Sequence, residues 1–242
     1  MKDERTCDAG AEAGRTSFIL HPSAFIPIVY SAKEIFYTLQ GEGIHAGRPA
    51  VFCRFSGCNL WTGHEEDRHK AVCTFCDTDF VGVGPDGGRF ATAAGLAEAI
   101  ASRWPDVAGG RRFVVCTGGE PLLQLDASAI DALHARGFEV AVETTGTQPA
   151  PAGIDHICVS PKAGALLVLT YGHELKLVFP QDHADAQPHR FVALRFDAFY
   201  LQPLDAGDAS VTRANTERAL AYCLAHPEWR LSLQTHKLLD IR

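Results

Sequence analysis

Arg112-Phe113-Val114-Val115-Cys116-Thr117-Gly118-Gly119-Glu120 decides the fold. A run of apolar and β-branched residues reads as a buried strand, and the glycine pair that ends it reads as a turn. Leu122 to Arg136 then carries apolar residues at helical spacing, and Glu139 to Thr144 is strand-like again. Strand, helix, strand in that order implies a parallel pair joined by a crossover. Outward from this unit, strand-like runs recur at Ala50 to Phe55, His156 to Ser160, Glu174 to Phe179 and Phe199 to Gln202. Thr92 to Arg103 and Thr212 to His226 have helical spacing. The pattern predicts an α/β fold with about six parallel strands, an incomplete (partial) TIM-like barrel rather than eight full units. Polar or glycine-containing turns follow the strands at Ser56-Gly57-Cys58, Gly118-Gly119-Glu120, Thr145-Gly146, Pro161-Lys162 and Pro203-Leu204-Asp205. In such folds the strand C-terminal ends build the site.

The chain has 242 residues, 46% of them hydrophobic, enough for one sizeable core. A net charge of -7 disfavours attraction to nucleic acid phosphates, so no nucleic acid partner is expected. No apolar run approaches the ~18 residues of a membrane span, and the first thirty or so residues lack the order of a signal peptide. A soluble, cytoplasmic protein is expected, with residues 1–32 as an extension of unknown role and 33–242 as a single domain. The eight cysteines are too few and too unevenly spaced for a disulfide scaffold. Cys53, Cys116 and Cys158 sit inside apolar strands, and Cys7 and Cys223 lack ligand-like neighbours, so none of these is assigned chemistry.

The remaining three cysteines form a group. Fourteen residues separate Cys58 from Cys73, and two separate Cys73 from Cys76. Cys-x-x-Cys brings two soft thiolates to one metal centre, and a loop supplies the third. Three protein sulfurs leave one iron of a 4Fe-4S cluster open to a substrate or cofactor. The same spacing also suits a structural zinc site completed by His64 or His69, or three incidental thiols. Phe75 before the last cysteine favours the cluster, because radical S-adenosylmethionine enzymes typically place an aromatic residue there. Residues 62–72, rich in charge, read as an insertion between the first two ligands.

In order along the chain stand Leu39-Gln40-Gly41-Glu42-Gly43, Cys53-Arg54-Phe55, Cys58-Asn59-Leu60-Trp61, Phe75-Cys76-Asp77-Thr78-Asp79, Thr117-Gly118-Gly119-Glu120-Pro121, Ser160-Pro161-Lys162, Gln202-Pro203 and Gln234-Thr235-His236-Lys237. With these the sequence resembles the 7-carboxy-7-deazaguanine synthase family of the radical S-adenosylmethionine superfamily, in the subgroup with a long first cysteine gap. The resemblance runs from about Lys33 to the C-terminus. It implies a radical S-adenosylmethionine core and a lyase, the ring contraction of 6-carboxy-5,6,7,8-tetrahydropterin to 7-carboxy-7-deazaguanine with loss of ammonia, in queuosine and deazapurine biosynthesis. It also implies a 4Fe-4S cluster, S-adenosylmethionine and Mg2+ as cofactors, an electron donor such as flavodoxin or ferredoxin, and a homodimer. An activating enzyme acting on a partner protein and a non-enzymatic zinc-binding module are the competing readings.

Residue by residue, the resemblance implies cluster ligands at Cys58, Cys73 and Cys76. Cofactor contacts are implied at Phe75, Cys76, Asp77, Gly118, Gly119, Glu120, Ser160, Pro161, Lys162, Gln202, Pro203, Leu204 and Asp205. Glycines at 118 and 119 let backbone approach a ligand, and Glu120 offers a carboxylate to an ammonium group; a tight turn capping the next helix is the bland alternative. Substrate contacts are implied at Leu39, Gln40, Gly41, Glu42, Arg54, Thr117, Glu143, His236 and the terminal Arg242. Amide and carboxylate groups near Gly41 suit the donor and acceptor edge of a pterin, and Arg54 suits its carboxylate unless it serves in a structural salt bridge. Thr78 is implied as the magnesium ligand, whereas residue chemistry alone favours Asp77 and Asp79. Thr145 stands where the family more often has asparagine.

Overall fold

The computed structural model describes residues 30–107 and 109–242. Nine strands form one sheet: β1 (Tyr30–Leu39), β2 (Pro49–Phe55), β3 (Gly88–Phe90), β4 (Arg112–Gly118), β5 (Phe138–Thr144), β6 (His156–Val159), β7 (Tyr171–Phe179), β8 (Arg195–Pro203) and β9 (Trp229–Leu231). Their order is β3-β1-β2-β4-β5-β6-β7-β8-β9. From β2 to β9 every neighbouring pair is parallel, and β1 runs antiparallel to both β2 and β3. The parallel α/β sheet expected from the sequence is present, with one parallel strand more than expected. That strand, β9, is a three-residue element too short to show a period. Most of the segment expected to be an extension lies outside the described residues, Cys7 included. Tyr30, Ser31 and Ala32 do not belong to it, because they open β1 and Tyr30 and Ala32 are buried in the core.

Among the described residues four α-helices accompany the sheet: α1 (Ala93–Ala101), α2 (Ala127–His134), α3 (Ala209–Ala225) and α4 (Thr235–Leu238). Side-chain caps fix where the first three begin. Thr92 accepts from Gly95 N, Asp126 from Ala129 N, and Asp208 from Ser210 N and Val211 N. The caps explain why α2 starts later and α3 earlier than helical spacing suggests. Ahead of α2, Pro121–Leu123 forms only a short 3-10 turn, with the Glu120 side chain accepting from Leu122 N. No described helix is long and apolar enough to cross a membrane.

Strand alternation sorts the side chains between two faces. Val114 and Cys116 of β4, Val140 and Val142 of β5, and Leu175 and Leu177 of β7 point to the face that carries the helices and join the main core. Ala50, Phe113, Val115 and Ala141 form a smaller apolar floor on the other face. Beyond that floor, at the C-terminal ends of the strands, the inward positions turn polar.

Candidate active site

A cavity of about 420 Å³ opens at those strand ends, in the range of small-molecule sites. β2 contributes Arg54, β4 Thr117 and Gly118, β5 Glu143 and Thr144, β7 Lys176 and Val178, and β8 Gln202 and Pro203. The loop after β1 adds Leu39 to Glu42, the cysteine loop adds Cys58, Cys73 and Phe75 to Asp79, and the C-terminal segment adds Gln234, His236, Lys237 and Arg242. Gly119, Ser160, Lys162, Leu204 and Asp205 also line it.

Two residues expected at the site are turned away from it. Glu120 is fully buried, and its carboxylate accepts from Thr144 Oγ1 at 2.7 Å, Thr145 N at 2.9 Å, Thr145 Oγ1 and Leu122 N. Hydrogen bonds from its own fold saturate it, so it braces the turn and does not line the cavity. Pro161 is buried beside the wall, while Lys162 next to it folds back so that Nζ donates to Ser160 Oγ at 2.6 Å and Ser160 O at 2.8 Å. Thr145, the departure from the family pattern, supplies two of the hydrogen bonds that hold Glu120 in.

The glycine pair acts through close backbone approach. A Cβ on Gly118 would strike the backbone of Phe55, and one on Gly119 the carbonyl of Gly57. Gly118 also has φ +125°, where side-chain-bearing residues are strained. Gly119 N donates to Phe55 O at 3.2 Å, and Glu120 N to Gly57 O at 2.9 Å. The turn after β4 is therefore seated on the stem of the cysteine loop.

The three loop cysteines are free thiols on the cavity wall. Cys76 is drawn down to about 6 by a hydrogen bond from the neighbouring Cys73 thiol, which is pushed up in turn, and burial raises Cys58. Among the described residues no three His, Cys, Asp or Glu side chains gather as ligands of a single ion. An iron–sulfur cluster spreads its thiolates over separate irons. His64 and His69, the completing ligands of a zinc site, are exposed and do not line the cavity. Asp77 and Asp79 are already paired with Lys237 and Lys33, each at 2.8 Å, and Thr78 between them has no lysine partner among the described residues.

The strand β7 adds to the cavity wall a charge that sequence reasoning missed. Lys176 is buried, ion-paired with Glu42 and 3.5 Å from Glu143. Burial works against its charge, but Glu143 and Glu42 overcome that and hold its pKa well above the ordinary value. Burial likewise raises Glu42, and the Lys176 charge outweighs it and lowers the carboxyl. Gln40 Nε2 donates to Glu143 at 2.8 Å, and Gln234 Nε2 to Glu42 at 3.0 Å. The signal lay in strand periodicity: Glu174, Lys176 and Val178 share one face of an otherwise apolar run.

Arg54 Nε donates to Glu34 at 2.7 Å, so the structural salt bridge exists. Among the described residues its terminal nitrogens have no further partner. Arg242 is committed to Glu34 at 2.6 Å and Asp86 at 3.0 Å. His236 packs where a Cβ on Gly41 would collide with it, so that glycine admits the imidazole. Cys158, expected to be only a small core hydrophobe, faces the cavity from β6. Gln202, which lines the cavity, has its Oε1 buried without a hydrogen-bond partner among the described residues.

No family model matches the chain. It is 65% identical over 218 residues to a 7-carboxy-7-deazaguanine synthase of Caulobacter vibrioides, covering 88% of this chain and 100% of that protein. It is 62% identical over 215 residues to the protein of the same name from Bordetella pertussis, with 88% and 100% covered. The crystal structure of QueE from Escherichia coli superimposes with a TM-score of 0.64 at 26% identity, covering 85% of this chain and 93% of that one.

Proposed function

From the premise that this chain belongs to the 7-carboxy-7-deazaguanine synthase family, we propose how its cavity performs that family's reaction. The enzyme is a radical S-adenosylmethionine lyase that contracts the ring of 6-carboxy-5,6,7,8-tetrahydropterin to 7-carboxy-7-deazaguanine with loss of ammonia. The observation that carries the assignment of roles is that three free thiols and the Lys176, Glu42 and Glu143 triad line one cavity.

The donor set fits the cofactors. Cys58, Cys73 and Cys76 offer three soft sulfurs to a 4Fe-4S cluster, Thr78 offers a hard oxygen to magnesium, and the orphaned Gln202 carbonyl offers an acceptor to S-adenosylmethionine. When bound, cluster and S-adenosylmethionine together supply the radical that starts the reaction. Gly118, Gly119, Phe75 and Asp77 and the segments Ser160, Lys162 and Gln202 to Asp205 hold S-adenosylmethionine from the strand ends, with Glu120 and Pro161 supporting from behind.

The substrate lies toward the triad. Arg54, steered by Glu34, turns its free nitrogens to the substrate carboxylate. Lys176 keeps Glu42 ionised, and the carboxylates of Glu42 and Glu143 accept from the N–H groups along the pterin edge. Leu39 to Gly41 give backbone groups to the same edge, Thr117 adds a hydroxyl from the strand end, and His236 closes over Gly41. The pairs of Lys237 with Asp77 and Asp205 tie the C-terminal segment across the mouth, which limits water at the reacting centre. Arg242, held by Glu34 and Asp86, orients Glu34 and through it Arg54.

The sheet is read as a partial TIM-like barrel of the radical S-adenosylmethionine core, supported by the open strand order from β3 to β9 and by the cavity at the C-terminal strand ends. Residues 33–242, together with the three residues that open β1, form its single domain. A homodimer in the cytoplasm, reduced by a flavodoxin or ferredoxin, belongs to the same reading.

Anaerobic reconstitution with iron and sulfide, followed by assay of 6-carboxy-5,6,7,8-tetrahydropterin with S-adenosylmethionine, magnesium and reductant, tests it. The native chain is expected to release 7-carboxy-7-deazaguanine and Cys76→Ala none. A chain that cleaves S-adenosylmethionine yet leaves the pterin unchanged overturns the substrate assignment, and one that takes up zinc in place of a cluster overturns the reaction class.

A further inference from the structure

The charged insertion between Cys58 and Cys73 is built around one side chain. Glu65–Lys70 forms a short 3-10 turn that sets Arg68 over the Trp61 ring, 4.0 Å from its centroid. Arg68 Nε donates to both carboxylate oxygens of Glu65, at 2.7 and 2.8 Å. Its Nη1 then reaches out of the insertion and donates to the carbonyls of Thr74 at 2.9 Å and Cys76 at 3.1 Å. The return of the insertion is pinned by Val72 N donating to Leu60 O at 3.0 Å. Trp61 itself is buried on the cavity wall.

We propose that Arg68 is a positioning residue for the cluster, holding the Cys73-to-Cys76 loop in its ligating shape and setting a fixed positive charge beside it that favours the reduced state. The inference rests on the cluster-binding reading above and deepens it. A guanidinium stays charged at any pH a protein survives, and its planar fork is suited to fixing several acceptors at once. Two carbonyls of the Cys-x-x-Cys turn are such acceptors, and one belongs to a ligand residue. The charge then acts on the metal site from its surroundings, since reduction adds a negative charge and cluster potentials follow local charge, hydrogen bonding and exposure. Glu65 offsets it only in part: the Glu65 side chain is 77% exposed and screened by water, whereas that of Arg68 is 27% exposed.

Native chain, Arg68→Gln, Arg68→Lys and Glu65→Gln are purified without oxygen and reconstituted. Iron per chain after gel filtration and the midpoint potential from an EPR-monitored redox titration are then measured, with thermal unfolding of each apo-protein. Arg68 lies outside the sheet and its helices, so all four apo-proteins are expected to melt together. Arg68→Gln is expected to retain less iron, and its loaded fraction to be reduced at a more negative potential. Glu65→Gln shifts the potential the other way. Arg68→Lys keeps the charge but loses the fork, so it retains less iron at a potential close to the native one. Native potentials in both Arg68→Gln and Glu65→Gln overturn the proposal while leaving the function intact; if Arg68→Gln holds no cluster, the Glu65→Gln shift decides. A native chain that takes up no 4Fe-4S cluster overturns the functional reading and the role of Arg68 together.

Discussion

Two lysines in this molecule are each held between two acids, and they differ in their access to water. Lys176, on β7, stands between Glu42 and Glu143 with its side chain 5% exposed. Lys237, on α4, bridges Asp77 at 2.8 Å and Asp205 at 2.6 Å with its side chain 38% exposed. The first cation has no water to fall back on, so it and its acids form one obligatory unit of the cavity wall. The second sits in screening solvent, where each pair contributes little and either exchanges readily with water or salt. The same motif thus makes a fixed part of the cavity wall in one place and a separable tie between two loops in the other. The loops joined by Lys237 are the one that follows Cys76 and the one that follows β8, so the separable tie lies beside the cysteine loop.

The largest effect expected from breaking this contrast comes from Lys176→Met. It leaves the half-buried carboxylates of Glu42 and Glu143 facing each other without the buried cation between them and is expected to destabilise the chain by about 3 kcal/mol, read by urea unfolding. An effect below about 1 kcal/mol would place the triad in water and erase the distinction. Acid unfolding sharpens the same point at Glu174, one inward position along β7. Burial pushes this carboxyl up, but the His156 imidazole 3.6 Å away, the Lys176 charge and the Ile44 N–H outweigh it and hold it at about 2, against 4.5 in the open chain. The ionised form therefore contributes stability that is complete above about 4.5 and lost as pH falls toward 2, on the order of 3 kcal/mol. Glu174→Gln is expected to flatten the melting-temperature profile in that window, and an unchanged slope would assign the acid sensitivity elsewhere. Smallest is Lys237→Ala, expected to change stability by less than about 1 kcal/mol and to raise the KM for S-adenosylmethionine, by an amount that shrinks as salt is added. A loss as large as that of Lys176→Met would make the two lysines equivalent.

Much of this site was legible in the sequence because its groups sit where the chain is punctuated. Cys58, Cys73, Cys76 and Gly119 lie between regular elements and Gly118 ends β4, and such positions expose their chemistry as spacing. The strands were legible where they are long and apolar, as in β4 and β5. β9 was not, since three residues carry no period. Lys176 was not assigned because it sits inside a strand, where a charge reads as an irregularity unless its partners are known, and Glu42 is 134 positions away. Glu120 shows the opposite limit. Its place beside two glycines at a strand end marks it for the cavity, yet Thr144 and Thr145 at the end of the adjacent strand draw its carboxylate inward. Motif spacing fixes where a backbone runs, and neighbouring strands decide which way a side chain turns.

The seating of Gly118 and Gly119 on Phe55 and Gly57 also bears on what can be transplanted. The stem of the cysteine loop is shaped against the end of β4, and neither glycine leaves room for a methyl group. A saturation library at these two positions should therefore return glycine almost alone, while Gly57, with open space at its own Cβ, is limited only by its φ of +85°. The smallest portable module for this chemistry is thus discontinuous. Grafting the cysteine segment onto another α/β scaffold requires carrying the neighbouring strand's glycine turn with it, since the one has no defined shape without the other.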